Sequence, residues 1–498
     1  MILRPVSMFV MSLLWVSLSF ASTLTVQMSA EPTQFDPLQM EDAAALRISA
    51  NTLGTLFAYD GQGDRWKSLV DNYSVSRDRK TYTFYFKKDL KWSDGKSFHA
   101  DQFVLALNRM AKEPVKVSMA DLFPKFNLKR TRATGPRTAE VVLEEPDAQF
   151  LNWLTLPPFA PIRQDMIDAY AEKHSPVVPT LGAYQVVEYK REEQLILKKN
   201  PNFMEQAQVN IDEIKLRFVS DEGALLPLIK AGTIDILTKV PILQLKPIEE
   251  VARIQDVPVE AVTYLAFDTK KAPFNDKLNR QTFRDGLNVA KRRELAQLLK
   301  TGEDPAMTLL PRILAPPSFR REFNPAVKKS DQVLDFSIQS DMSSRNQSML
   351  EFVQSVLKSE LKWKVALDLL DWKTHYAKLK TEPDAVYRFG WQNPVSDPFI
   401  VYQAFTSKSP NNFTGWAHPK FDALVGELRQ ESRLVKKSKL INQLEDILWE
   451  EAPIVPLLHQ VLRFAYSKRV LGFRANSFGV ILFRELRLNE DNAKAKTL

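Results

Sequence analysis

Five histidines, His99, His174, His375, His418 and His459, are the side chains best placed for acid–base or metal chemistry at neutral pH. No two lie within metal-ligand spacing, so each reads as a surface or capping residue. There is no cysteine, which removes thiol catalysis, disulfides and thiolate metal sites. Adjacent acids stand at Glu144-Glu145, Glu192-Glu193 and Glu450-Glu451. Neighbours in a strand point to opposite sides, so these pairs suit solvated faces better than an acid–base couple. The chain has no G-x-S-x-G elbow and no P-loop, and the lone Gly61-x-Gly63, without a third glycine or a flanking strand, reads as a turn. The residues therefore point away from an enzyme, and no cofactor or metal is expected.

The elements that would position any site alternate between strand and helix signals. Tyr82, Phe84 and Phe86 alternate with Thr81, Thr83 and Tyr85, a period of two, and Lys91-Trp92-Ser93-Asp94-Gly95 reads as a turn. Phe103, Leu107 and Met110 then fall at helical spacing, which predicts an amphipathic helix from Ala100 to Lys112. Strands are expected over 182–188, 194–198, 211–218 and 233–238, with a helix from Glu222 to Lys230 stopped by Gly232. The longest helical stretches run from Leu278 to Leu299 and from His418 to Glu451, the latter ended by Pro453 and Pro456. This order favours an α/β fold.

The chain has 498 residues, too many for one core, with 44% hydrophobic and 26% charged residues, the balance of a globular protein. Its formal charge of +8 is spread in short clusters such as Lys291-Arg292-Arg293, Arg320-Arg321 and Lys436-Lys437, which read as solvated basic surface and not as a nucleic-acid arm. Arg4, the apolar run from Met8 to Phe20, and the small residues Ser19 and Ala21 predict a signal peptide over 1–21, cleaved after Ala21. A membrane anchor is the competing reading, but the run is short for a span. Without a cysteine to carry lipid, the mature protein is expected to diffuse freely in the periplasm.

Several segments, in order, resemble the family of periplasmic oligopeptide- and dipeptide-binding proteins of ATP-driven importers. They are Phe35-Asp36-Pro37 followed by Glu41-Asp42-Ala43; Asp78 to Gly95 with its Lys91-Trp92-Ser93-Asp94-Gly95 turn; Gly182-Ala183-Tyr184; Lys199-Asn200-Pro201-Asn202-Phe203; Ala231 to Asp235; Pro273-Phe274-Asn275-Asp276 to Arg284; Arg388-Phe389-Gly390-Trp391; and Ala452 to Leu458. The series runs through nearly all of the mature chain. The resemblance implies a two-lobed, type II-like periplasmic binding fold, with an extra domain inserted in the first lobe and a hinge of two crossing strands. Mapped here, lobe I takes 22–57, 177–264 and 470–498, the insertion 58–176, and lobe II 265–469. The crossings are expected near Thr263 to Asp268 and Arg463 to Lys468.

A peptide receptor of this kind must read the backbone and termini that all peptides share. The resemblance implies that Glu41, Asp42 and Ala43 offer backbone groups to the ligand; the competing reading is a plain surface loop. Arg388 would meet a ligand carboxylate with its planar fork, or instead form an ion pair that holds the lobe together. Trp391 would provide an aromatic wall, or simply core, with Asn393 beside it in the same loop. Pro394 stands where the family carries an aspartate for the ligand's amino group, and Asp397 could substitute or could merely match the family's acid before proline. The expected partners are a peptide or other small solute and an inner-membrane ABC permease complex, with no nucleic acid, and the protein is expected to be a monomer. A non-peptide solute such as a sugar or cell-wall fragment, or a ligand-sensing interaction protein on the same fold, is the alternative.

Overall fold

The computed structural model describes residues 22–40, 42–117, 120–173, 175–316, 319 and 332–489. The leader, His174, Arg320-Arg321 and Glu41 therefore lie outside the described residues. Every strand of the main sheet belongs to one hydrogen-bonded ladder of eleven. In spatial order these are Lys364–Leu370, Asp335–Asp341, Val386–Gln392, Ala252–Phe267, Ile454–Ser467, Ile236–Leu237, Thr23–Met28, Glu213–Phe218, Gln194–Lys199 and Tyr184–Lys190, with Asp304–Pro305 pairing on Ile454–Ser467.

The two long central strands join the halves. Ala252–Phe267 pairs antiparallel with Ile454–Ser467 over most of its length, but the ladder is interrupted between Pro258 and Val262 and shifts again between Thr263 and Tyr264. From Ala261 onward the same strand also pairs with Val386–Gln392. The interruption marks where the strand passes from one half of the sheet to the other, and bulges of this kind bend and twist a strand. The segments expected as crossings, Thr263 to Asp268 and Arg463 to Lys468, lie in or at the ends of this pair.

A separate antiparallel sheet orders Val70–Val75, Thr81–Phe86, Thr138–Val142 and Arg132–Gly135. Its alternation follows the sequence: Tyr82, Phe84 and Phe86 are buried and Tyr85 is exposed. The turn after it has Gly95 at φ +85°, a left-handed conformation that glycine adopts without strain. The helix Asp101–Lys112 follows, with Phe103, Leu107 and Met110 buried. Arg109 from this helix makes a bidentate pair with Asp36, Nη1 to Oδ1 at 2.8 Å, which ties the Phe35-Asp36-Pro37 motif to the inserted segment.

Four expectations are corrected. The stretch from Leu278 to Leu299 is two helices, Lys277–Gly286 and Val289–Leu299, because the Asn288 side chain accepts from the backbone N–H of Ala290 and Lys291 and caps a new start. His418 to Glu451 likewise divides into Pro419–Gln430 and Leu434–Glu451, with the Glu431 carboxylate taking the N–H groups of Ser432 and Arg433. Arg292 is not part of a solvated basic cluster: it is 1% exposed, donates to the Ala306 carbonyl, and burial pushes its guanidinium down to about 9. The histidines also divide. His418 caps its helix through Phe421 N–H, but His375 is buried and His459 half-buried against the Thr308 carbonyl, and desolvation pushes His459 down to about 4.

Candidate functional site

A cavity of about 660 Å³ opens beside the long central strands. One wall comes from the helix Ala43–Thr52 and from the loop between Asn476 and Arg484. The start of that helix is fixed by Asp42. Its Oδ1 accepts from Ala45 N–H at 2.8 Å, and its Oδ2 accepts from the Thr33 N–H and hydroxyl at 2.9 and 2.7 Å. Asp42 and Ala43 both line the cavity. Gly182 lines it too, and a side chain there would collide with the Thr52 carbonyl, 2.4 Å from where its Cβ would sit.

The cations on this wall are engaged. Arg47 donates Nε–H to the Gly479 carbonyl at 3.0 Å and lies over the Phe464 ring, and burial pushes its guanidinium down to about 10. Arg484 pairs with Glu205 at 3.2 Å and lies over the Trp66 ring, 4.6 Å from its centroid.

The opposite wall is aromatic. The helix Trp372–Thr381, capped by Asp371, brings Trp372 and Tyr376 onto one face at i, i+4, and the strand Val386–Gln392 adds Phe389. The three rings lie within 13° of parallel, with centroids 5.4, 6.3 and 6.4 Å apart, and all three line the cavity. Trp372 is 51% exposed, so its face is open to a ligand.

Of the residues expected to bind, Asp42, Ala43, Trp391 and Asn393 meet at this cavity, together with Pro394. Arg388 and Asp397 are not among its lining residues. Arg388 donates Nη1 to Asp341 Oδ1 at 2.9 Å while its Nε has no partner, and burial pulls its guanidinium below the usual range despite Asp341. Asp397 caps the helix Pro398–Gln403 through Phe399 N–H and pairs with Lys437 at 2.9 Å. It also anchors the loop, because its carbonyl accepts from Asn393 Nδ2 at 3.1 Å and Asn393 Oδ1 accepts the Trp391 indole N–H at 3.0 Å. The aromatic trio escaped the sequence reading, although Trp372 and Tyr376 stand at helical spacing just after a capping aspartate.

A sheet continued through two long shared strands, with a walled cavity beside them, defines a two-lobed binding protein. The chain belongs to the bacterial extracellular solute-binding proteins, family 5, whose model matches residues 67–413. It is 23% identical to the dipeptide-binding protein DppE of Bacillus subtilis over 92% of this chain and 90% of that protein. It is also 23% identical to the periplasmic oligopeptide-binding protein OppA of Salmonella typhimurium, over 90% and 88%. Among solved structures, the murein tripeptide-binding protein MppA of Escherichia coli superposes with a TM-score of 0.79 at 20% identity, covering 94% of this chain and 98% of that one. Haemophilus influenzae OppA, in complex with the peptide RPPGFSPFR, superposes with a TM-score of 0.78 at 20% identity, covering 94% and 99%. Among the described residues, no helix is long and apolar enough to cross a membrane.

Proposed function

We propose that the protein is a periplasmic receptor that captures peptides in the cavity between its lobes and delivers them to an inner-membrane ATP-driven importer, without chemical turnover. The single observation that carries this reading is the 660 Å³ cavity beside the shared strands, in a chain whose family is defined by solute binding. Such a volume suits a small ligand, and relatives named for dipeptides, oligopeptides and a murein tripeptide support peptides as its class. The lobes follow the division given above: 22–57, 177–264 and 470–498 against 265–469, with 58–176 inserted, after removal of 1–21. Closure about the two long strands would bring the aromatic wall onto a ligand seated against the helix Ala43–Thr52. In this reading Asp42 acts by fixing that helix start, Ala43, Trp391 and Asn393 by contact, and Arg388 and Asp397 by holding the second lobe's loop. The mature receptor works as an unlipidated monomer.

The test is a melting-temperature screen of the mature protein against pools of di- to pentapeptides, with sugars and muropeptides as separate arms. A ligand that binds only the folded state at 100 times its Kd stabilises it by about 2.7 kcal/mol. A shift with peptide pools alone is the expected result. A shift confined to sugars, or none at all, would sink the peptide reading.

A further inference from the structure

A second recess, of about 390 Å³, adjoins the main cavity. Asn476 lines both, and the Tyr59 ring that faces the main cavity ends in a hydroxyl that accepts from the N–H of Ser396, a residue of the recess, at 3.3 Å. Two carboxyl groups lie in its wall. Asp256 is matched by Arg463, at 2.6 Å to Nε and 2.7 Å to Nη2. Glu260 is different. It is 1% exposed, its Oε1 accepts from the Ser477 hydroxyl at 2.9 Å, and no donor meets its Oε2 in hydrogen-bond geometry, although the Ser396 hydroxyl and the Asn393 side chain lie near enough to favour the carboxylate. Its position is fixed from both sides, because Glu260 N–H donates to the Ser477 carbonyl at 3.1 Å and its own carbonyl accepts from Asn393 N–H at 2.9 Å. It sits in the interruption between Pro258 and Val262, where the long strand changes partner.

A buried carboxyl oxygen without a donor is unfavourable unless a ligand supplies one. The surroundings specify the donor. A primary ammonium has three N–H groups and a positive charge, and it would find Oε2 together with the hydroxyl oxygens of Ser396 and Ser477. Val257, Pro258 and Ile313 offer apolar surface to a methylene stem. The charged side chains of the main cavity, Asp42, Arg47 and Arg484, already have partners, whereas in this recess the Glu260 carboxyl keeps one oxygen that no donor meets in hydrogen-bond geometry. We propose that the recess is a binding subsite for a primary alkylammonium group, with Glu260 as its anionic acceptor. This goes beyond the peptide reading and stands independently of it.

Burial also pushes the Glu260 carboxyl up to about 7, so the empty site gains its charge only near neutrality. The titratable groups that face it are Tyr59, Asp397, itself paired with Lys437, and Asp256 on its own strand. An ammonium ion should therefore bind more tightly above pH 7 than below it.

The experiment titrates n-butylammonium chloride into the mature protein at pH 8 and pH 6 and follows the melting temperature. n-Butyltrimethylammonium chloride, with the same charge and stem but no N–H, is the control. The expected result is a saturable rise at pH 8 with n-butylammonium alone, an apparent Kd at least fivefold weaker at pH 6, and loss of the rise in Glu260→Gln. If that variant fails to fold, Gln62→Trp, which places bulk at the exposed rim of the recess, should abolish the rise instead. A wild-type protein with no donor-dependent, saturable rise overturns the proposal, as does the same rise in whichever variant folds.

Discussion

The two walls of the main cavity use their residues in opposite ways. On the wall of the helix Ala43–Thr52, the charges are numerous and each is tied to a partner: Asp42 to the helix start and Thr33, Arg47 to Gly479, and Arg484 to Glu205. On the wall of Trp372, Tyr376 and Phe389, rings are presented to the open space, and the arginine of that strand, Arg388, is buried against Asp341. Charge here sets the shape of the cavity, and aromatic surface is what remains for the ligand to touch. A receptor built this way would select by shape and apolar area more than by ion pairing.

The sharpest way to break that contrast is Asp341→Asn. It leaves the largely buried Arg388 guanidinium without its counter-charge; removing one partner of a fully buried pair costs about 3–5 kcal/mol, and this part-buried pair should lie at the lower end of that range. Chemical denaturation should show that loss with ligand absent; a change of less than about 1 kcal/mol would mean that Arg388 is not held by the fold and is available to a ligand after all.

Glu260 sets the second cavity apart from the first, and pH should reveal it. Its carboxyl is at about 7 when folded against an ordinary 4.5, so its contribution is fully present below pH 4.5 and is lost as pH rises through 7. A shift of that size corresponds to about 3 kcal/mol. Relative to Glu260→Gln, the wild-type protein should lose about that much between pH 4.5 and 7.5 in urea titrations. His459 has the opposite sign: it is pushed from 6.5 to about 4, so its contribution is present above 6.5 and lost on acidification through 4. The Glu260→Gln variant should therefore show acid sensitivity that the wild-type protein partly masks.

A smaller effect tests the aromatic wall. Trp372→Ala should weaken the best-binding peptide of the melting screen about tenfold, or ~1.4 kcal/mol, in calorimetric titration, while folding stability changes little because the ring is half exposed. The smallest expected change is on the charged wall: Asp42→Ala removes a helix cap and should cost about 1 kcal/mol of stability, read by thermal unfolding.

Periodicity carried the parts of the fold in which one face is buried. Tyr82, Phe84 and Phe86 declare their strand because water and core lie on opposite sides of it, and the helix after Ala100 is legible for the same reason. Helix breaks at Asn288 and Glu431 were not, because each rests on a side chain competing for backbone N–H groups and leaves the apolar spacing undisturbed. Arg292 misled because a cation's burial depends on a distant carbonyl, that of Ala306. At the cavity, Asp42, Ala43, Trp391 and Asn393 were reachable through motif resemblance, but whether Arg388 and Asp397 face outward depends on Asp341 and Lys437, far away in the chain. Glu260 did leave a trace: it is a single acid within the run Val-Pro-Val-Glu-Ala-Val-Thr, where every neighbour suits a buried strand.

The exposure of Trp372 gives the protein a built-in optical reporter. The other described tryptophans are buried or half-buried, so they already emit from settled surroundings. Trp372 faces water from the aromatic wall, and any solute that covers it must dry its indole. Occupancy could then be followed without a label, as a blue shift in tryptophan fluorescence that a Trp372→Phe protein should largely lose, with Trp66 and Trp391 on the same cavity supplying what remains.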